Sequence, residues 1–222
     1  MNGMQKKTYS IEIGGKEMTA EFTDWADQAN GSVLVRYGNS IVLATAVMGG
    51  EKAIDYFPLS VEYEEKFYAA GAILGSQFVR REGRPSDEAV LSGRVVDRTI
   101  RPLFEHHIRR EIQVVISILS IDEDDTDILG VIAASLALGT SDIPWGGPVS
   151  AVRVGKTNGD HIINPVYKDR DHQGAPLDLL ACGRNGTINM IEVGALEVPE
   201  EDIIHALGRA NEELGRLEEW QK

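Results

Sequence analysis

The first third of the chain alternates apolar and polar residues with the period of two that is typical of β-strands. The alternation that begins at Tyr9 ends at Gly14-Gly15, which is a turn signal. Further on, Gly38-Asn39 separates two apolar runs and predicts the two-residue turn of a β-hairpin. The strands predicted in this part of the chain cover 9–13, 32–37, 41–47 and 57–63.

The rest of the chain mixes helical and strand periodicity. Ser86 can cap a helix whose apolar residues recur at helical spacing until Pro102. A second helix is predicted over 128–138, which is apolar on most sides as a buried helix is, and a third begins at Pro199. Strands are predicted over 111–121, 149–155, 177–181 and 187–193. The first of these strands contains an apolar run that is typical of a strand covered on both faces.

This order of elements predicts the α+β class. A chain of 222 residues has the length of one large domain or two small ones, and no low-complexity linker divides it. We therefore expect a single domain over 1–222, in which 200–222 form either a closing helix or the start of a helical linker region.

Composition narrows the class of protein. The apolar fraction of 42% and the charged fraction of 26% are ordinary for a globular protein and disfavour a disordered or collagen-like chain. No apolar run approaches the roughly 20 residues of a membrane helix, and the first residues lack the apolar core of a signal peptide. Cys182 is the single cysteine, so no intrachain disulfide can form, and we expect a cytoplasmic protein without membrane association.

Five carboxylates crowd the segment 122–127, which we call the acidic turn. A calcium loop of the EF-hand type needs glycine at its sixth position, where this chain has Asp127. We expect instead a solvent-exposed turn in which Asp125 or Asp127 caps the following helix.

Charge is unevenly distributed along the chain. Lysine and arginine number 22 against 35 acidic residues, and the resulting net charge of −13 by itself disfavours nucleic acid as a ligand. Yet eight of the 14 arginines fall within residues 80–110, which we call the arginine segment. Because salt screens charges beyond a Debye length of roughly 8–10 Å, a local basic surface can act independently of a distant acidic one.

The arginine segment has more than one interpretation. Its candidate loop residues are Phe78, Arg80, Arg81 and Arg84, and its candidate helix residues are Arg94, Arg98 and Arg101. Guanidinium groups bind phosphates through paired hydrogen bonds, and an aromatic ring can stack on an unpaired base, so the segment suits RNA. The alternatives are that ion pairs such as Asp97–Arg101 occupy the arginines within the domain, or that the arginines form a subunit interface.

Short motifs spread along the chain carry a resemblance to a known family. In chain order they are Phe57-Pro-Leu, Tyr68-Ala-Ala-Gly71, Arg80-Arg-Glu-Gly-Arg-Pro-Ser86, Asp97-Arg98, Ile100-Arg-Pro-Leu-Phe104 and Ser141-Asp-Ile-Pro144. With these motifs the chain resembles the first ribonuclease PH-type domain of the bacterial polynucleotide phosphorylases (polyribonucleotide nucleotidyltransferases). The resemblance extends over about residues 8–207 and is most specific in the string from Arg80 to Ser86.

The resemblance implies a ribonuclease PH-like fold, a two-layer α/β sandwich with a mixed β-sheet and packed helices. It implies 3′-to-5′ degradation of messenger RNA with inorganic phosphate and Mg²⁺, release of nucleoside diphosphates, a homotrimeric ring, and degradosome proteins as partners. It also implies that Arg80, Arg81 and Arg84 line the channel of the ring and hold single-stranded RNA. The family usually has two adjacent aromatic residues before its paired basic residues, and Gln77-Phe78-Val79 departs from that pattern.

The phosphorolytic site of the family belongs chiefly to a second domain, where a Gly-Ser-Ser turn holds phosphate. The matching turn here is 124–127, whose carboxylates would repel phosphate. We therefore expect an N-terminal fragment that acts as scaffold and RNA guide, with no catalytic residue and no metal ligand. Two alternatives are a non-catalytic RNA-binding ring subunit, as some exosome subunits are, and a stand-alone tRNA-trimming ribonuclease PH, which the acidic turn disfavours.

Overall fold

The computed structural model of the chain describes residues 6–73, 84–157, 159–170 and 176–222. The described strands of a first sheet are β1 (Lys7–Ile13), β2 (Lys16–Phe22), β3 (Gly31–Tyr37), β4 (Ser40–Glu51), β5 (Leu59–Glu65) and β6 (Arg110–Ser120). Those of a second sheet are β7 (Ser150–Thr157), β8 (Asp160–Ile163), β9 (Leu177–Arg184) and β10 (Thr187–Ala195). The helices are α1 (Asp87–Ile100), α2 (Thr126–Gly139), α3 (Tyr167–Arg170) and α4 (Glu200–Gln221). The predicted α+β class is confirmed.

Antiparallel hairpins build most of both sheets. The strand order of the first sheet is β1-β2-β3-β4-β6-β5, and that of the second is β10-β9-β7-β8. The predicted turn at Gly38-Asn39 joins β3 to β4, and Gly38 adopts a φ of 58°, which glycine tolerates without steric cost. Strand β5 instead runs parallel to β6, and α1 forms the crossover between these two strands.

Helices α1 and α2 lie between the two sheets. Helix α2 packs against β3, β4 and β6 of the first sheet and against β7 of the second, while α1 packs against β5 and β10. Helix α4 covers the other face of β7 and β9 and also touches β1. Because α2 and α4 cover its two faces, β7 is buried at every position from Ser150 to Gly155.

Strand β6 does not have the two covered faces that its apolar run predicts. The side chains of Ile112, Val114, Ile116 and Ile118 are fully buried, whereas the residues between them are half-buried. The helix layer covers one face of the first sheet, so the alternate residues of β6 keep contact with solvent. The central position of the strand, rather than a second covering layer, explains its apolar sequence.

Three short elements were not predicted from the sequence: β2, β8 and α3. Strand β2 buries Met18 and Ala20 and is otherwise mostly polar, which leaves a weak period-two signal. Strand β8 and helix α3 have four residues each, too few to establish a period.

The predicted start and end of the first helix and the predicted cap of the second are confirmed. The Oγ of Ser86 accepts a hydrogen bond from the backbone N–H of Ala89 at 3.0 Å. Helix α1 ends at Ile100, and Pro102 lies in the 3-10 turn Arg101–Leu103 that follows. Asp125 caps α2 by accepting a hydrogen bond from the backbone N–H of Asp127.

Helix α4 is amphipathic. It buries Ala206, Ala210, Leu214 and Leu217 and turns most of its charged residues outward. None of the described helices is both long enough and apolar enough to cross a membrane.

Candidate functional site

Four arginines of the arginine segment are exposed in the described structure: Arg84, Arg94, Arg98 and Arg110. Arg84 precedes α1, and Arg94 and Arg98 lie on α1 itself. Neither the Arg94 nor the Arg98 side chain makes a hydrogen bond or ion pair with another described residue. The predicted RNA-binding residues Phe78, Arg80 and Arg81 lie outside the described residues.

Arg101 is held within the domain instead. Its guanidinium donates to both carboxylate oxygens of Asp97, at 2.6 and 3.0 Å, and to the Leu59 carbonyl at 3.1 Å. It also stands 5.8 Å from the centre of the Phe57 ring. The Asp97–Arg101 ion pair considered above is therefore present, and the hydrogen bond from Arg101 to the Leu59 carbonyl ties the end of α1 to the start of β5.

Two more arginines of the segment bind backbone carbonyls. Arg109 donates to the carbonyl oxygens of His106 at 2.6 Å and Asp55 at 3.3 Å, and Arg110 donates to that of Gly49 at 3.0 Å. These arginines brace the chain before β6. Fewer arginines of the described segment are therefore available to a ligand than their count indicates. Arg84, Arg94 and Arg98 are exposed, whereas the exposed Arg110 is held by the Gly49 carbonyl.

The acidic turn is tied to distant parts of the chain. The Asn39 amide donates to Asp122 at 2.8 Å, and the Lys16 ammonium pairs with Asp124 at 2.6 Å. Asp124 and Asp125 are only 2% and 3% exposed. The expectation of a solvent-exposed turn holds for Asp122 and Glu123 but is wrong for Asp124 and Asp125, which are buried against basic partners from other strands.

A set of buried and partly buried charges, which we call the ionic cluster, surrounds the start of α2. Its members are Arg153, Arg170, Asp125, Asp127 and Asp178. The Arg153 guanidinium donates to the two oxygens of Asp178 at 2.9 and 3.0 Å, to Asp127 at 3.2 Å and to Asp125. Arg170 donates to Asp125 at 3.2 Å. The ionic cluster thus joins the start of α2 to β7, to β9 and to α3.

The first backbone donors of α2 are already occupied. The N–H of Asp127 donates to Asp125 Oδ1 at 2.9 Å, and the N–H of Thr126 donates to the Tyr167 hydroxyl at 3.4 Å. A helix N-terminus binds phosphate through unoccupied N–H groups and the positive end of the helix dipole. In this turn a carboxylate and a phenol take two of those donors, and the carboxylates of Asp125 and Asp127 stand where a phosphate would lie.

Two family models match the chain in succession. The 3′ exoribonuclease family, domain 1, matches residues 14–144, and the 3′ exoribonuclease family, domain 2, matches residues 147–213. The chain belongs to the 3′ exoribonuclease family. The two matched ranges meet in the connection between α2 and β7, so each range contains most of one sheet.

Relatives within the 3′ exoribonuclease family agree with the predicted resemblance. The polyribonucleotide nucleotidyltransferases of Bacillus mycoides (strain KBAB4) and Bacillus cereus (strain AH187) are each 43% identical to this chain over 220 residues. The alignments cover 98% of this chain but 30% of the relatives' length. The crystal structure of rice (Oryza sativa) Rrp46 shares the fold, with a TM-score of 0.70 at 14% identity over 99% of this chain and 94% of that chain. The predicted family and its ribonuclease PH-like fold are confirmed.

In this member of the 3′ exoribonuclease family, the ionic cluster changes the pKa values of its own members. Burial raises the pKa of Asp127 to about 6, and the neighbouring Asp125 carboxylate adds to the shift. Burial alone would lower the pKa of Arg153, but the carboxylates of Asp125 and Asp178 raise it above its ordinary value. Three carboxylates face two guanidinium groups, so a proton on Asp127 brings the ionic cluster close to neutrality.

Replacing Asp127 with Asn should raise the free energy of unfolding at pH 8. The native state holds the Asp127 proton more tightly than the unfolded state, so between about pH 4 and pH 6 the wild type loses stability as the pH rises. The asparagine side chain carries no charge, and the gain at pH 8 should reach about 1–3 kcal/mol, from a shift of about two pKa units. Urea denaturation at pH 4.5 and pH 8 measures the difference.

The matched control for this experiment is Asp27→Asn, at an exposed carboxylate outside the ionic cluster. Its stability should follow that of the wild type at both pH values. A loss of stability in Asp127→Asn at pH 8 would mean that the Asp127–Arg153 ion pair outweighs the cost of burying the carboxylate.

The ionic cluster was not predicted from the sequence. Its local signal is Arg153, a charged residue in the middle of a buried apolar strand, where an ionic partner is required. Its partners come from α2, α3 and β9, and pairing across such separations leaves no periodic signal.

Neither cysteine chemistry nor a metal centre is supported by the described residues. Cys182 is fully buried, and burial raises the pKa of its thiol to about 12, which keeps it protonated and unreactive. Within the described ranges, no three His, Cys, Asp or Glu side chains are placed together to hold a metal ion. We assign no Mg²⁺ ligand to them.

Proposed function

We propose that this chain is the N-terminal ribonuclease PH-type domain of a longer polyribonucleotide nucleotidyltransferase. That enzyme shortens RNA from the 3′ end by transferring nucleotides to inorganic phosphate, and it releases nucleoside diphosphates. The proposal rests on one observation above all: the 43% identity to such enzymes continues along 98% of this chain. Because the chain spans 30% of the relatives' length, the activity of the whole protein is part of the proposal.

Within that enzyme, the domain serves as scaffold and RNA guide. The exposed guanidinium groups of Arg84, Arg94 and Arg98 follow α1 from one end to the other and suit the phosphates of a single strand. Arg80, Arg81 and Phe78, which lie outside the described residues, belong to the same proposal by their sequence. Arg101 contributes indirectly, because its ion pair with Asp97 holds the end of α1 in place.

The chemical step belongs to another part of the longer protein. Asp125 caps α2, and the carboxylates of the ionic cluster occupy the turn that holds phosphate in catalytic domains of this type. We therefore assign the binding of inorganic phosphate as substrate and of Mg²⁺ as cofactor to the whole enzyme rather than to this domain. A homotrimeric assembly, degradosome partners and a cytoplasmic location remain parts of this proposal.

We further propose that residues 1–222 form a single domain. Helix α4 supports this proposal, since it packs its apolar side onto β7 and β9 and touches β1. In that arrangement α4 closes the domain rather than beginning a separate linker.

Replacing Arg80, Arg81 and Arg84 together with Ala should weaken the salt dependence of RNA binding. Each phosphate contact to a single strand contributes about 0.7 to the slope of log affinity against log salt, so the slope should fall by about two units. Fluorescence anisotropy of a labelled adenine oligonucleotide, titrated at several KCl concentrations, measures it.

The control carries Arg36→Ala and Arg209→Ala, which remove two exposed arginines outside the arginine segment. Its slope should equal that of the wild type. An unchanged slope in the triple variant would favour the interpretation of these arginines as a subunit interface.

The alternative function is a non-catalytic RNA-binding ring subunit. The occupied turn at the start of α2 favours it, because a subunit without a phosphate site has no use for open N–H donors there. The two functions are distinguished by assaying the longer protein that would contain this domain. The first function requires that protein to carry out phosphorolysis, and the second requires it to bind RNA without phosphorolysis.

A further inference from the structure

A cleft of about 460 Å³ opens where β5 ends and α1 begins. Tyr63 and Ile121 contribute to its lining, and Phe67, Lys66 and Arg84 line it as well. This volume lies in the range of clefts that hold small organic groups. The cleft is formed by described residues and adjoins Arg84, an arginine of the proposed RNA guide.

Two aromatic side chains next to this cleft are presented to solvent. Phe67 is 48% exposed and Tyr68 is 60% exposed, both in the 3-10 turn Phe67–Ala70. Gly71 ends that turn with a φ of 68°, and its N–H donates to the Tyr68 carbonyl at 3.0 Å. The Ile121 N–H donates to the Ala69 carbonyl at 2.9 Å and ties the turn to the end of β6. The aromatic rings are therefore carried by a backbone with a defined geometry.

Charged groups held by hydrogen bonds and ion pairs also line the cleft. Glu65 accepts a hydrogen bond from the Ser86 hydroxyl at 3.3 Å, and Lys66 pairs with Glu64 at 3.3 Å. Ser86 in turn caps α1, so the backbone beside Arg84 is fixed relative to β5. The carboxylates of Glu64 and Glu65 repel a phosphate, whereas the Arg84 guanidinium attracts one.

We propose that this cleft takes one unpaired base of single-stranded RNA. The base stacks on Phe67, and its phosphate contacts Arg84. Stacking on an aromatic side chain is tolerant of sequence, because every base has a π face, and it is the usual complement to a basic track in proteins that bind single strands. The inference rests on the proposed function and adds to it a stacking residue for the RNA strand.

Phe67→Ala should weaken binding of an adenine oligonucleotide between about 5-fold and 150-fold, the range that loss of one stacked base produces. The slope of log affinity against log salt should stay unchanged, because no charge is removed. An oligonucleotide containing 2-aminopurine gives a second readout, since its fluorescence is quenched by stacking. We expect quenching by the wild type and by Phe67→Trp, and its loss in both Phe67→Ala and Phe67→Leu.

The matched control is Tyr56→Ala. Tyr56 is an exposed aromatic residue, 63% accessible, before the start of β5, whereas Phe67 follows its end. The seven residues of β5 separate the two positions by about 23 Å. Tyr56→Ala should leave both affinity and quenching unchanged.

Arg84→Ala in the same assay separates failure of this inference from failure of the proposed function. It should lower the salt slope by about 0.7. If Arg84→Ala lowers the slope while Phe67→Ala changes neither affinity nor quenching, the stacking site is overturned and the RNA guide stands. If the wild-type chain binds no RNA, or if Arg84→Ala leaves the slope unchanged, Arg84 is not part of an RNA guide. The proposed stacking site beside it is then overturned as well.

Discussion

This chain alone should release no ADP from an adenine oligonucleotide in the presence of phosphate and Mg²⁺, although it should still bind the RNA. Phosphorolysis needs a site that holds phosphate against the 3′-terminal linkage. The start of α2, where that site would lie, has its Thr126 and Asp127 N–H groups occupied by Tyr167 and Asp125. The carboxylates beside it add electrostatic repulsion.

Chromatographic detection of ADP measures the release of ADP by this chain. A full-length polyribonucleotide nucleotidyltransferase serves as the positive control. Far-UV circular dichroism of the same sample establishes that the chain is folded. Release of ADP that survives rigorous removal of host enzyme would contradict the assignment of the chemical step to another domain. Absence of phosphorolysis by the longer protein that contains this domain would favour the ring-subunit alternative.

Replacing Arg153 with Met should lower the free energy of unfolding by about 3–5 kcal/mol. Arg153 is 7% exposed and is the shared partner of Asp125, Asp127 and Asp178. Methionine fills a similar volume but leaves these carboxylates without that partner in a buried site. Breaking a buried pair from one side costs more than the pair contributes, because the remaining charge loses its compensation. Equilibrium denaturation in urea measures the loss.

Two further variants test the cause of this loss. Lys156→Met removes a cation near the end of the same strand, where Lys156 pairs with Asp202 at 2.5 Å. This pair is more exposed than the Arg153–Asp125 pair, so its loss should lower the free energy of unfolding far less than Arg153→Met does. Adding Asp125→Asn to Arg153→Met should recover part of the stability by removing the stranded charge. A double variant less stable than Arg153→Met alone would point to lost packing rather than an uncompensated carboxylate.

Local signals in the sequence were enough to predict most elements of the fold. The Ser86 cap and the Gly38-Asn39 turn each depend on residues a few positions apart, and each is present in the structure. Strand β2 was missed because its core face consists of Met18 and Ala20, whose burial depends on long-range pairing with β3. The same limit applies to β6. Its apolar run predicts a strand but does not indicate whether one face or both faces of the strand are covered.

The sequence predicts the parts of the candidate site whose chemistry follows from residue type alone. It does not predict the parts that depend on which residues pair across the fold. A run of arginines with a specific motif indicates an anion-binding segment. Which of them are engaged within the domain depends on Asp97, Leu59 and Gly49, whose positions only the fold defines. The acidic turn is the opposite case: its residues were noticed, but the buried environment comes from Lys16 and Arg153, which are distant along the chain in either direction.

The position of α4 has a consequence for synthesis of the protein on the ribosome. Strands β7 and β9 depend on this helix for one of their two covers, and its 22 residues are translated after both strands. At roughly 5–20 residues per second, the second sheet waits about one to four seconds for its last layer while the helix is made. During that interval Arg153 and its carboxylates can already meet, but the apolar side of the sheet away from α2 remains open, so a nascent chain paused there is a substrate for chaperones.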